Sequence, residues 1–258
     1  MKNYKSYIFL TLILTIGFLA CTKEEKSEIN ENSNLEISNF EKVGLMHNNG
    51  LDFIFSSKTF NRIQEIGERA KNNRNNGIDT LAIAQIVFEE TNNFIANNNT
   101  IDLEGNIIEI QPLNDLNEFM EIYRARELKV FSVPTDKQTA EEIKLDIDNI
   151  MKNYLDNTDA DDYYKVMSTG SLYKHSVDYW SSEANRSADF SFLYTNSASR
   201  GWFSWVSFVR SDVMGAWGGA EIGAIGGPAG VIGGAVAFGL CSSALDAAVQ
   251  SAIHAAQK

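Results

Sequence analysis

Three histidines, two cysteines and a cluster of aspartates are the side chains of this 258-residue sequence best suited to chemistry. His47 stands in His47-Asn48-Asn49-Gly50-Leu51-Asp52, where Asp52 would have to orient the imidazole as a general base. Such a base needs a nucleophile within hydrogen-bond reach, and no motif puts a Ser or Cys beside this pair. The favoured reading is structural, with His47 and Asn48 capping or bridging neighbouring helices. His175, between Lys174 and Ser176, and His254 near the end read as packing or surface residues. Without a His-x-x-x-His or Glu-flanked pair there is no zinc signature. Asp156, Asp159, Asp161 and Asp162 supply oxygen but lack the alternate ligands, central Gly and terminal Glu of a calcium loop. Ser168-Thr169-Gly170-Ser171 is not the Gly-x-Ser-x-Gly of a nucleophile elbow and reads as a turn. Cys241 reads as a small buried hydrophobe in an apolar helix. The expectation is a protein without catalytic residues, cofactor or metal site.

Charge narrows the partners. There are 34 acidic side chains against 22 basic ones, a formal net charge of −12. Binding a nucleic acid backbone requires a basic surface, so no nucleic acid partner is expected. The hydrophobic fraction of 44% is enough for a packed core. Two cysteines at opposite ends do not make a disulfide scaffold.

The N-terminus holds Lys2 and Lys5, the apolar run Ile8 to Ala20, and then Cys21. A positive start, a short apolar stretch and a small residue before the cut are the parts of an export signal. Phe18-Leu19-Ala20-Cys21 resembles the lipobox of bacterial lipoproteins, with Phe18 where that family prefers Leu. The resemblance implies a signal peptide over 1–20 and lipidation of Cys21, which makes the membrane a partner at about 0.8 kcal/mol per buried CH₂. Thr22-Lys23-Glu24-Glu25-Lys26 resembles the export signal of Bacteroidota-type surface lipoproteins, which implies an outer-membrane or cell-surface location. Val43 to Asp52 resembles a segment near the start of uncharacterised lipoproteins of that class, and no activity comes with it. Residues 21–39, rich in Glu, Asn and Ser, form the lipidated Cys and a flexible tether.

The elements that must position everything else are mainly α. Over 40–200 the spacing predicts a helical domain. Leu45, Leu51, Ile54 and Phe55 share a stripe that Asn48-Asn49-Gly50 breaks or caps, and Phe60, Ile63 and Ile66 continue it to Asn72. Asp79 caps a helix running to Asn97, and 101–110 is a short hairpin or an irregular loop. Pro112 opens a helix carrying Leu116, Phe119, Met120 and Tyr123. Ile143, Ile147, Ile150, Met151 and Tyr154 define an amphipathic helix, with Glu141, Glu142, Asp146 and Asp148 on its solvated face. Asp156 to Asp162 forms a turn, and Tyr163 to Trp180 is helical again. The fold class is a helical bundle with a glycine-rich C-terminal helix or helical hairpin.

That last segment, 201–258, is unusual. Gly215, Gly219, Gly223 and Gly227 recur every four residues, and Gly226, Gly230 and Gly234 form a second row. On a helix each row is a groove that admits another backbone. Each interior Gly costs up to about 1 kcal/mol relative to Ala, so the rows point to close helix packing. The segment resembles glycine-zipper sequences of channel subunits, membrane-perturbing proteins and bacteriocin-like peptides, which implies packing and membrane contact. Trp202, Phe203, Trp205, Phe208 and Trp217 lie upstream like an interfacial belt. Gly226-Gly227-Pro228 invites a break into two arms, Ser211–Ile225 and Ala229 to about Ala256. Two functions stay open. In one, the tail inserts into a membrane or self-associates, with a bacteriocin-like antagonist as the sharper form. In the other, the hairpin is the buried core of a lipid-anchored binding or scaffolding module.

Overall fold

The computed structural model describes residues 38–72, 77–103, 106–125, 127–155, 160–182 and 205–257. Cys21, Trp202, Phe203, Asp156 and Asp159 lie outside these residues. Among the described residues the fold is mainly helical, as expected, with one small sheet.

Helices α1 (Glu41–Ile54) and α2 (Ser57–Asn72) are separated at Phe55 and Ser56, not at Asn48-Asn49-Gly50. The helix continues through those three residues because tertiary contacts hold them. Gly50 lies against Leu240 and Phe94, and the Asn48 amide donates to the His175 carbonyl at 3.1 Å. Helix α3 (Thr80–Asn97) starts as expected, with Asp79 Oδ1 accepting from Ala82 N–H at 3.0 Å.

Strands β1 (Thr100–Leu103) and β2 (Asn106–Glu109) form an antiparallel hairpin with Ile101 opposite Ile108. Ile101, Leu103 and Ile108 turn inward while Ile107 is exposed, so the alternation has one dry face. Helix α4 (Leu116–Ala125) begins after Asp115, not at Pro112, because the Asp115 carboxylate accepts from Asn117 and Glu118 N–H. Helix α5 (Ala140–Leu155) opens on a capping box. Thr139 N–H donates to Glu142 Oε2 and Glu142 N–H donates to Thr139 Oγ1. Ile143, Ile147 and Met151 are its buried stripe.

Helix α6 (Ala160–Ser181) contains Ser168-Thr169-Gly170-Ser171, which is therefore not a turn. These residues are small and buried, and Gly170 admits Met151 and Phe131. The chain ends in α7 (Trp205–Gly223), a single 3₁₀ turn over Ala224–Gly226, and α8 (Gly227–Gln257). The break falls at the predicted glycines. Gly227 adopts φ 67° and ψ −159°, a region open essentially only to glycine.

The described residues form one compact unit. Its centre is α8, which packs against α7, α2, α6, α3 and α1. An apolar helix without a polar face has to be covered on all sides, and α8 is buried along most of its length. Helices α1, α2, α3 and α6 thus form a sheath around the α7–α8 hairpin, with α4 against α7 and α3, and α5 against α6.

Candidate functional site: a glycine-packed hairpin and its buried carboxylate

The hairpin holds itself together backbone to backbone. A Cβ placed on Gly219 would overlap the Gly234 carbonyl, and one on Gly223 would overlap the Gly230 carbonyl. One turn of helix further on, Gly215 meets the Phe238 carbonyl and the Ser242 side chain, and Ser211 Oγ donates to the Ser242 carbonyl at 3.3 Å. Each step of four down α7 meets a step of four up α8. The two glycine rows are the two sides of one antiparallel contact.

Gly226 and Gly227 do not belong to it. Among the described residues, no atom beyond the chain neighbours lies within 4 Å of a Cβ placed at either, because both are in the connection where the chain reverses. Their role is to make the turn. The tip that results is apolar and bare, with Ile225 96% exposed.

The aromatic belt is distributed differently from the expected interface. Phe208 and Trp217 are buried, since the hairpin's own sheath supplies apolar partners. Phe208 stacks on Trp180 with ring centres 4.6 Å apart, and Trp217 meets Phe131 edge-on at 6.5 Å. Trp205 is half-buried against the core.

Four charged side chains lie on the hairpin, and all four reach out to the sheath or its loops. Arg210 donates to the Pro134 carbonyl at 3.2 Å. Glu221 accepts from Lys129 at 2.6 Å, and Asp246 accepts from the Tyr123 hydroxyl. Asp212 is the one among them that is completely buried.

Three donors hold Asp212. Oδ1 accepts from His47 Nε2 at 2.7 Å, while Oδ2 accepts from Ser176 Oγ at 2.5 Å and Trp180 Nε1 at 2.8 Å. Helix α1 thereby contributes one donor and α6 two. On the far side of the ring, His47 Nδ1 lies 3.0 Å from Asn48 Oδ1. The Asn48 amide is oriented by its donation to the His175 carbonyl, so an oxygen faces Nδ1. Both ring nitrogens then face acceptors, which requires an imidazolium. Burial opposes that charge, and the charge and hydrogen bond of Asp212, with the bond to Asn48, outweigh it and raise the His47 pKa above 6.5. The result is a buried, hydrogen-bonded ion pair.

His47 does bridge helices, but its partner is not Asp52, which accepts from the Tyr179 hydroxyl at 2.8 Å. Asp212 is 165 positions from His47 and no local motif links them. The only trace in the sequence is a lone carboxylate inside the largely apolar stretch from Val206 to Ala220, two residues from Arg210. The arrangement is not a nucleophile triad, since Ser176 donates to the carboxylate and not to the imidazole. His175 pairs with Glu41 at 3.0 Å and packs over Gly44. Cys241 is buried in α8. Among the described residues no three His, Cys, Asp or Glu side chains converge as metal ligands would.

Comparison of the chain with protein-family models, curated proteins and solved structures finds no match.

Proposed function

We propose that this is a lipid-anchored outer-membrane or cell-surface protein whose α7–α8 hairpin enters a bilayer tip first. The observation that carries this reading is the tip itself: an uncharged turn of Ile, Ala, Gly and Pro, with Ile225 projecting, at the end of a pre-packed helical pair. Glycine-mediated backbone contact also suits the medium. Inside lipid, helices associate by close packing and not by the hydrophobic effect, so such a pair keeps its reason to stay together. The Trp205–Gln257 region is apolar enough to cross a membrane by length and composition. Because the glycine rows already meet within one chain, insertion is favoured over self-association through them. The sharper version is a bacteriocin-like antagonist, with the acylated Cys21 as tether and the hairpin as the part that perturbs a target bilayer.

The acidic surface disfavours anionic lipid, so the test uses zwitterionic vesicles. A residue 22–258 protein, lacking the lipidated Cys, should float with phosphatidylcholine liposomes at physiological salt. Ile225→Glu should abolish flotation and leave the thermal melt unchanged. A wild-type protein that stays at the bottom of the gradient would overturn the membrane reading.

A second reading, a lipid-anchored binding or scaffolding module, is favoured by a different observation. The hairpin is covered by α1, α2, α3 and α6 and serves as the core of the fold. That reading expects no flotation at all, and the same gradient separates the two.

A further inference from the structure

We infer that Asp212 is the catch of the hairpin: the bonds it accepts from α1 and α6 hold α7 inside the sheath, and breaking them sets the rate at which the hairpin reaches a bilayer. This inference rests on the membrane reading above and adds its regulation.

The argument starts from a division of labour among contacts. Helix α7 is tied to α8 by glycine and small-residue packing, with the Ser211–Ser242 hydrogen bond as its polar element. The two helices can therefore move as one body. What ties that body to the sheath is of another kind, namely apolar burial plus polar ties that include those of Arg210, Asp212, Glu221 and Asp246. On the hairpin's side, apolar burial against the sheath is exchanged for lipid contact. The sheath's inner face, with Leu51, Ile63 and Val87, has to take lipid or close on itself, and that cost is common to every variant compared below. The polar ties have no such replacement. Glu221 and its Lys129 partner are solvent-exposed, and water takes over either half at small cost. Asp212 has three donors from two sheath helices and no exposed surface, so releasing it means parting a buried ion pair. Arg210 and Asp246 bond at part-buried positions, so of these ties the fully buried one of Asp212 is the costliest to part.

Its position fits a catch rather than a catalytic group. Ser176, Trp180 and His47 surround the carboxylate without leaving an opening to solvent. Asp212 lies more than two turns of α7 from the tip, so the tip is free to touch a surface while the base remains held.

The test uses full-length chain and three variants. Ser176→Ala removes one donor and leaves the ion pair. Asp212→Asn removes the charge. His47→Gln with Asp212→Asn exchanges both ions for amides and keeps the protein assayable if Asp212→Asn alone prevents folding. Two readouts are needed: amide hydrogen exchange across α7 in solution, and release of carboxyfluorescein from phosphatidylcholine vesicles. Folded variants are expected to exchange α7 amides faster and to release dye about tenfold faster or more, the scale of losing one charge-assisted hydrogen bond. Unchanged exchange in every folded variant overturns the catch. So does faster exchange with unaltered dye release, provided that the wild type releases dye. No release by any protein removes the membrane reading, and the catch falls with it.

Discussion

His47 Nε2 donates to Asp212 Oδ1 across 2.7 Å, joining α1 to α7 at a point where neither side chain touches solvent. Asn48 and the His175 carbonyl complete the circuit on one side, and Ser176 and Trp180 on the other. This network makes the stability of the fold depend on pH in a definite direction.

The His47 pKa is raised in the folded chain above its ordinary 6.5. A raised folded value contributes stability that is fully present below the unfolded pKa and is lost as pH rises through the folded one. The difference in melting temperature between wild type and the His47→Gln, Asp212→Asn double variant should therefore be more favourable to wild type at pH 6 than at pH 9. A difference that stays constant over that range would contradict the assigned imidazolium.

Asp212→Asn alone should be the harshest of the network variants. It removes the charge and hydrogen bond that keep His47 protonated, so burial drives the ring to give up its proton and one of its two hydrogen bonds. Breaking a buried pair by removing one partner typically costs up to about 3–5 kcal/mol. Urea unfolding should show the double variant recovering part of that loss.

The glycines divide into two classes with opposite behaviour. Gly219→Ala drives a methyl into the Gly234 carbonyl and should cost about 1–3 kcal/mol. Gly227→Ala should cost a similar amount, about 1–3 kcal/mol, for a different reason, since its φ of 67° with ψ of −159° is strained for any side chain. Gly226→Ala meets open space at an ordinary φ and should be neutral or stabilise by up to about 1 kcal/mol. Urea midpoints at constant m distinguish these outcomes.

Deleting 211–258 should abolish the cooperative melt of what remains. Leu51, Ile63 and Val87 lie on sheath helices that pack on α8 and would lose its cover. A deletion protein that still melts cooperatively would mean that the sheath folds alone and the hairpin is a separable arm.

Asp79→Ala should destabilise by about 1 kcal/mol, because Ala82 N–H loses its acceptor at the start of α3. This is a local effect and should leave vesicle behaviour unaltered.

Much of this was legible in residue order. Helical spacing gave α3 and the buried stripe of α5, and Asp79 gave a cap, because these depend on neighbours within one turn. The break at Gly226-Gly227 was equally local, since a positive φ has to be taken by a residue without a Cβ. The four-residue glycine period announced a close backbone contact, although the chain alone did not say with which surface.

Only tertiary structure decided the rest. Asn48-Asn49-Gly50 and Ser168 to Ser171 are poor helix interiors by propensity, and both became helical because packing on Leu240, Met151 and Phe131 outweighs a few tenths of a kcal/mol per residue. Phe208 and Trp217 have the composition of an interfacial belt, and whether such rings face lipid or a core depends on what lies beside them. In the described fold they face Trp180 and Phe131. The partner of His47 was beyond any local rule. Asp52 is five residues away and points to Tyr179, while Asp212 is brought in from another helix. A sequence determines which groups will need a partner when buried, because a charge and a polar hydrogen cannot be left bare in a dry interior. Which partner arrives is settled when the helices pack.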